Sequence, residues 1–119
     1  MRMTALAAAL GFAAGAQAQQ TAEIGTGAVL RGLDKVDGQI TDMELDQGAA
    51  AEIGRLRVEL RQCRYPAGEP ASDAFAYLVI RDIESGDEMF SGWMVASSPA
   101  LNALEHPRYD VWVLRCMTG

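Results

Sequence analysis

Between Arg55 and Gln62 the chain alternates strictly, with Leu56, Val58 and Leu60 interleaved with Arg55, Arg57, Glu59 and Arg61. Successive side chains of a strand point to opposite faces, so this segment predicts a strand with an aliphatic inner face and a charged outer one. Other short apolar stretches recur with turn signals between them. Val29 to Asp34 is one, and Asp37-Gly38 after it is a hairpin signal. Gln39 to Leu45 places Thr41, Met43 and Leu45 on one face and Asp42 and Glu44 on the other, before the turn Asp46-Gln47-Gly48. Tyr65 to Ser72 (YPAGEPAS) carries two prolines and a glycine and reads as a loop. Phe75 to Ile83 is apolar on both faces, as a central strand between layers would be. After the turn Glu84 to Asp87, Met89 to Ala96 and Tyr109 to Cys116 complete the strands. Ser98 as N-cap with Pro99 at the first helical position predicts one short helix near 98–105, ended by Pro107. The expected fold is all-β and mainly antiparallel, a small β-sandwich or partly open barrel of about six to eight short strands.

One residue breaks the rhythm of the clearest strand. Cys63 shares parity with the charged set. Either a bulge near residue 62 re-aims it, or it sits at the rim of the sheet.

The first residues describe an export signal. Arg2 is followed by an uncharged apolar run from Thr4 to Gly15, and then by Ala16-Gln17-Ala18. A short basic region, an apolar region and a small-x-small site together predict a signal peptide over residues 1–18, cleaved after Ala18, and hence a periplasmic protein. The run is shorter than the ~20 residues that a membrane-crossing helix needs, and no later segment is a candidate span. Residues 19–27 (QQTAEIGTG) read as a flexible leader, leaving 28–119 as one domain.

Without Arg2, nine Lys and Arg face sixteen Asp and Glu, a net charge of −7. Such a domain repels phosphate backbones, which disfavours nucleic acid as a partner. Its two cysteines, Cys63 and Cys116, would be in an oxidising compartment after export, where a pair is ordinarily a disulfide. The rival readings, a redox-active or a metal-binding pair, lack a C-x-x-C motif and have a single His in the chain to draw on.

Candidate chemistry is sparse. Ser97, Ser98, His106 and Asp110 fall within fourteen residues and supply the side-chain types of a small hydrolase. The plainer reading has Ser98 capping a helix, His106 in a turn before Pro107 and Asp110 opening a strand. There is no G-x-S-x-G elbow. Asp42, Glu44 and Asp46 can gather a hard cation, but alternation of this kind is what a solvated strand face shows. No phosphate loop, dinucleotide fingerprint or haem motif is present, and no cofactor is expected. Trp93 and the loop Ser97 to Pro107 form the expected contact surface, with Ser97, Ser98, Pro99, His106 and Tyr109 as its candidate residues; Trp112 is expected in the core or half-buried.

Three groups of residues carry a family resemblance. They are Phe90 to Leu101 (FSGWMVASSPAL); His106 to Leu114 (HPRYDVWVL) with Cys116; and the earlier segments Arg31 to Lys35, Gly54 to Leu56 and Cys63 to Tyr65. Together they resemble DUF2155, an alphaproteobacterial family of unknown function, over roughly Ala28 to Cys116. Val95, where an aromatic is commoner, and Arg115 depart from the pattern. The resemblance implies an exported, β-rich envelope protein. It also implies a gene neighbourhood shared with a small accessory subunit of respiratory NADH dehydrogenase. The expected function is a non-catalytic periplasmic binding or assembly module with a protein partner in the cell envelope. A carbohydrate- or peptidoglycan-binding module is the alternative, and a hydrolase using Ser98 and His106 comes third.

Overall fold

The computed structural model describes residues 21–119. The expected signal peptide, its cleavage site and the first residues of the leader lie outside the described residues. Eight strands follow one another: β1 (Ala22–Ile24), β2 (Gly27–Asp34), β3 (Ile40–Asp46), β4 (Ala50–Ile53), β5 (Leu56–Pro66), β6 (Phe75–Asp82), β7 (Glu88–Val95) and β8 (Tyr109–Met117). They form two antiparallel sheets that do not close into a barrel. The larger runs β1-β5-β6-β7, with β4 also on β5; the smaller runs β3-β2-β8. Because β4 pairs with residues 56–59 and β1 with residues 64–66, the two short strands share one edge of β5. The core lies between the sheets. Leu56, Val58, Leu60, Leu78 and Ile80 meet Leu30, Val111 and Val113 there.

Cys63 and Cys116 form a disulfide that joins β5 of the larger sheet to β8 of the smaller. The parity problem at Cys63 is solved by a bulge. Leu60 pairs with Leu78 and Gln62 with Tyr77, so Arg61 is the extra residue and every later side chain of β5 changes face. Cys63 turns inward and is fully buried. The same device operates in β8. Tyr109, Val111 and Val113 point inward. Leu30 then pairs with Val113 and Val29 with Arg115; Leu114 is passed over, and Cys116 turns into the core. Each cysteine thus follows a bulge by two residues.

The short helix expected near 98–105 does not form. Leu101 N–H donates to Ser98 C=O (3.0 Å), which closes a single turn. Asn102 is instead drawn to the Trp93 carbonyl (2.9 Å) and Leu104 is buried in the core. Seven residues between two prolines cannot offset the cost of helix nucleation when their side chains are anchored in opposite directions. The stretch expected as a flexible leader is paired from Thr21 onward. Thr21 C=O accepts from Ala67 N–H (2.9 Å), Gly25 N–H donates to Cys63 C=O (2.8 Å) and Thr26 N–H donates to Met117 C=O (2.9 Å). The chain crosses here from one sheet to the other against the disulfide. A Cβ on Gly25 would lie 3.0 Å from Cys116 Cβ, so the glycines that suggested looseness serve a close approach. Among the described residues no helix is long and apolar enough to cross a membrane.

Candidate binding surface

Three of the motif-bearing segments converge at one corner of the molecule. Asp34 ends β2, Arg108 immediately precedes β8, Tyr109 begins it, and Gly54 and Arg55 join β4 to β5. The Arg108 guanidinium grips both oxygens of Asp34, from Nε at 3.1 and 3.2 Å and from Nη2 at 2.9 Å. That fork holds the Asp34 carboxyl below the usual carboxylate range. Lys35 Nζ donates to the His106 carbonyl (2.6 Å) and lies 3.6 Å from Asp110. His106 Nδ1 accepts the backbone N–H of Arg108 (3.0 Å) and of Tyr109 (3.2 Å). This nitrogen is therefore occupied, and the neutral ring carries its proton on Nε2. Tyr109 is 3 % exposed, contrary to its expected place on a contact surface. Its inward position in β8 puts the ring in the core, and its hydroxyl accepts from Arg55 N–H (3.3 Å). Beside it the Asp82 carboxyl accepts the backbone N–H groups of Ser85 and Glu84 (2.9 Å each), which hold it low in pKa and fix the turn before β7.

The serines are engaged elsewhere. Ser97 donates from Oγ to Asp73 (2.7 Å) and from its backbone N–H to the same carboxylate (3.0 Å). Ser98 and Pro99 are exposed on the one-turn loop, where Pro99 rims a shallow apolar groove against Leu104, Val111 and Trp112. The structure does not bring Ser97, Ser98, His106 and Asp110 into one hydrogen-bonded set. Among the described residues no group of three His, Cys, Asp or Glu side chains gathers as a metal site requires. Of the acidic strand, Asp42 is held by Arg31 through two hydrogen bonds (2.7 and 3.0 Å), which lower its pKa.

Trp93 lies apart from that corner, on the outer face of the larger sheet. Directly paired residues share a face. One row across the sheet is therefore Ile24, Arg64, Phe75 and Val95, and the next is Gln62, Tyr77 and Trp93. Trp93 is 37 % exposed and Ile24 57 %. The Tyr77 ring meets the Trp93 indole edge-on at 5.3 Å, and the Arg64 guanidinium sits 5.3 Å from the indole centre. Ala22, Arg64, Phe75 and Trp93 surround a shallow, mainly apolar hollow of about 280 Å³. Farther along the same face the rows become Glu52, Arg57, Arg81 and Glu88, laced by ion pairs such as Arg61 with Glu59 (2.8 Å) and Arg81 with Glu88 (3.6 Å).

The sequence singles out Trp93 as a candidate contact residue, and it is 37 % exposed; it does not single out Ile24, Arg64, Phe75 or Tyr77, which lie beside it. Their grouping depends on the bulge at Arg61, and the available signal was the misplaced parity of Cys63, which shifts Arg64 outward as it shifts Cys63 inward.

The comparisons with known proteins fit this picture without adding an activity. A family described as "Uncharacterized protein conserved in bacteria (DUF2155)" matches residues 28–116. An uncharacterized protein of Rickettsia prowazekii (strain Madrid E) is 25 % identical over 87 residues, which is 71 % of this chain and 56 % of the relative. The chain thus spans little more than half the length of that relative. No solved structure matches.

Proposed function

The chain belongs to the DUF2155 family, and from that membership we propose that it is a non-catalytic binding module of the periplasm that docks a protein partner in the cell envelope. The observation that carries this reading is the aromatic hollow on the outer face of the larger sheet, where Trp93 and Ile24 are exposed beside a half-buried Phe75. Exposed aromatics on a stiff sheet are the side chains that anchor interfaces, because they bury much area and lose little rotamer freedom. The disulfide between the sheets suits an oxidising compartment and stiffens the platform. The finer form of the proposal makes the protein an accessory component of an envelope or respiratory membrane complex near NADH dehydrogenase, in keeping with the family's gene neighbourhood. Purification of the tagged protein from its native membranes at natural expression tests it. Co-purification with defined partners is expected, and a protein that emerges alone and monomeric ends the assembly reading.

The exposed indole of Trp93 also supports a second reading, a saccharide-stacking module. Retention on peptidoglycan that is abolished by W93A would favour it.

A further inference from the structure

The hollow beside Trp93 has a charge that nothing in the chain answers. Seven of the nine basic side chains among the described residues lie within 4.0 Å of a carboxylate. Arg64 and Arg115 do not, and Arg115 still acts on the Asp42 carboxylate, whose pKa it helps to lower. Residues 1–20 contain no Asp or Glu. In a protein with sixteen acids against ten bases, Arg64 is left as a cation without a counter-ion. Its Nε donates to Gln62 (2.7 Å), which fixes the plane of the guanidinium beside the indole, and Arg64 lines the hollow. A fixed, planar fork of this kind matches the paired oxygens of a carboxylate or a phosphate.

We propose that the hollow is the docking site for an extended protein segment that carries an Asp or Glu next to an apolar side chain, the carboxylate taken by Arg64 and the apolar group seated on Trp93 and Phe75. The inference rests on the binding-module reading and specifies the partner's chemistry. Charge complementarity argues for it: Arg64, which has no carboxylate within 4.0 Å among the described residues, borders an aromatic hollow. A saccharide fits less well. Its ring of hydroxyls needs several donors and acceptors, and the lining here is almost wholly apolar apart from Arg64. An anionic lipid surface fits less well too, because the protein's net charge of −6 repels an extended anionic surface more than it repels a single carboxylate. The bulge at Arg61 connects this site to the staple, since one inserted residue aims Cys63 into the core and Arg64 at the partner.

The test is site-specific photocrosslinking of the full chain in cells that naturally make it, with p-benzoylphenylalanine in place of Phe75. The adduct is mapped by mass spectrometry. One protein should be captured, joined within two residues of an Asp or Glu. R64Q should lower the adduct yield about tenfold, the usual scale for loss of a charge-assisted hydrogen-bonded pair. R64K should lower it less, and R57Q on the charged half should leave it unchanged. Arg64 is exposed, so retention of the Cys63–Cys116 disulfide on a non-reducing gel confirms folding of each variant. A protein adduct whose yield ignores R64Q, or which maps to a segment without a carboxylate, overturns this inference and leaves the binding-module reading standing. No protein adduct, or adducts to glycan strands alone, overturns both.

Discussion

Two arginines of this protein each lie against an aromatic ring at nearly the same distance, and they come to opposite ends. Arg108 sits 5.4 Å from the centre of Tyr109, and Arg64 sits 5.3 Å from the centre of Trp93. Arg108 is closed by Asp34 on its other side, and its tyrosine is buried. Arg64 meets no carboxylate, and its tryptophan is open to water. The first corner holds the residues that look most like chemistry in the sequence, a histidine, an aspartate and a tyrosine, and the fold uses them to hold itself together. The second holds few polar groups, and the fold leaves it unfinished. Apparent chemistry and availability are thus separated in space, and variants in the two regions should separate stability from binding.

The largest effect should come from the staple that underlies both regions. The two cysteines are 53 residues apart in sequence. Replacing both by serine should cost roughly 4 kcal/mol in the chain-entropy model, read as a lowered midpoint of chemical unfolding. It should also weaken partner capture, because Arg64 follows the same bulge as Cys63. Unchanged capture by a folded C63S/C116S protein would show the outer face to be independent of the staple.

Next in size is Gly54→Ala at the closed corner. Gly54 has φ +54°, and a Cβ there would run into the Tyr109 hydroxyl. Strain of this kind costs about 1–3 kcal/mol, so unfolding should shift clearly while partner capture does not. If capture falls as far as stability does, the two regions are coupled and the contrast drawn here fails.

The closed corner should also set the acid limb. The carboxyls of Asp34, Asp42 and Asp82 are held low by Arg108, by Arg31 and by backbone N–H groups. The unfolded chain therefore takes up protons at a higher pH than the folded one. Stability from these groups is complete above the ordinary carboxylate pKa of about 4 and is lost as pH falls below it. Asp34→Asn should flatten that loss in a pH series of unfolding curves. An identical acid limb in the variant would remove Asp34 from the account.

What the sequence revealed follows from what alternation can encode. Strands β2, β3, β5, β6, β7 and β8 each carry an apolar rhythm or run of their own, and each formed close to its expected place. β4 was missed because Ala50 to Ile53 has little strand preference and owes its state to pairing with β5. β1 was missed because three exposed residues carry no periodicity. The expected helix at 98–105 had the right cap and the right first residue, but tertiary anchors on Asn102 and Leu104 outweighed them. The surface proposed for docking was only partly legible. Trp93 stands out by type, whereas Arg64 lies on the outer face only after the bulge, and Tyr109 looked as available as Trp93 until its parity with Val111 and Val113 placed it inside.

The smallest effect on stability should come from the residue on which the proposed docking most depends. Trp93→Ala removes an indole that is more than a third exposed and that meets the Tyr77 ring and the Arg64 guanidinium. A surface change of this kind should move unfolding by no more than about 1 kcal/mol. The backbone carbonyl that Asn102 holds is retained in the variant, so the loop that follows keeps its anchor. Partner capture should nevertheless be lost, because the hollow loses one of its two aromatic walls. The matching change at the closed corner, Tyr109→Phe, also removes no buried ring, only a hydroxyl that accepts one backbone hydrogen bond at 3.3 Å. It should cost about 1 kcal/mol and leave capture intact. If W93A proves as destabilising as the loss of a core side chain, Trp93 is a structural residue and the open half of the comparison is closed after all.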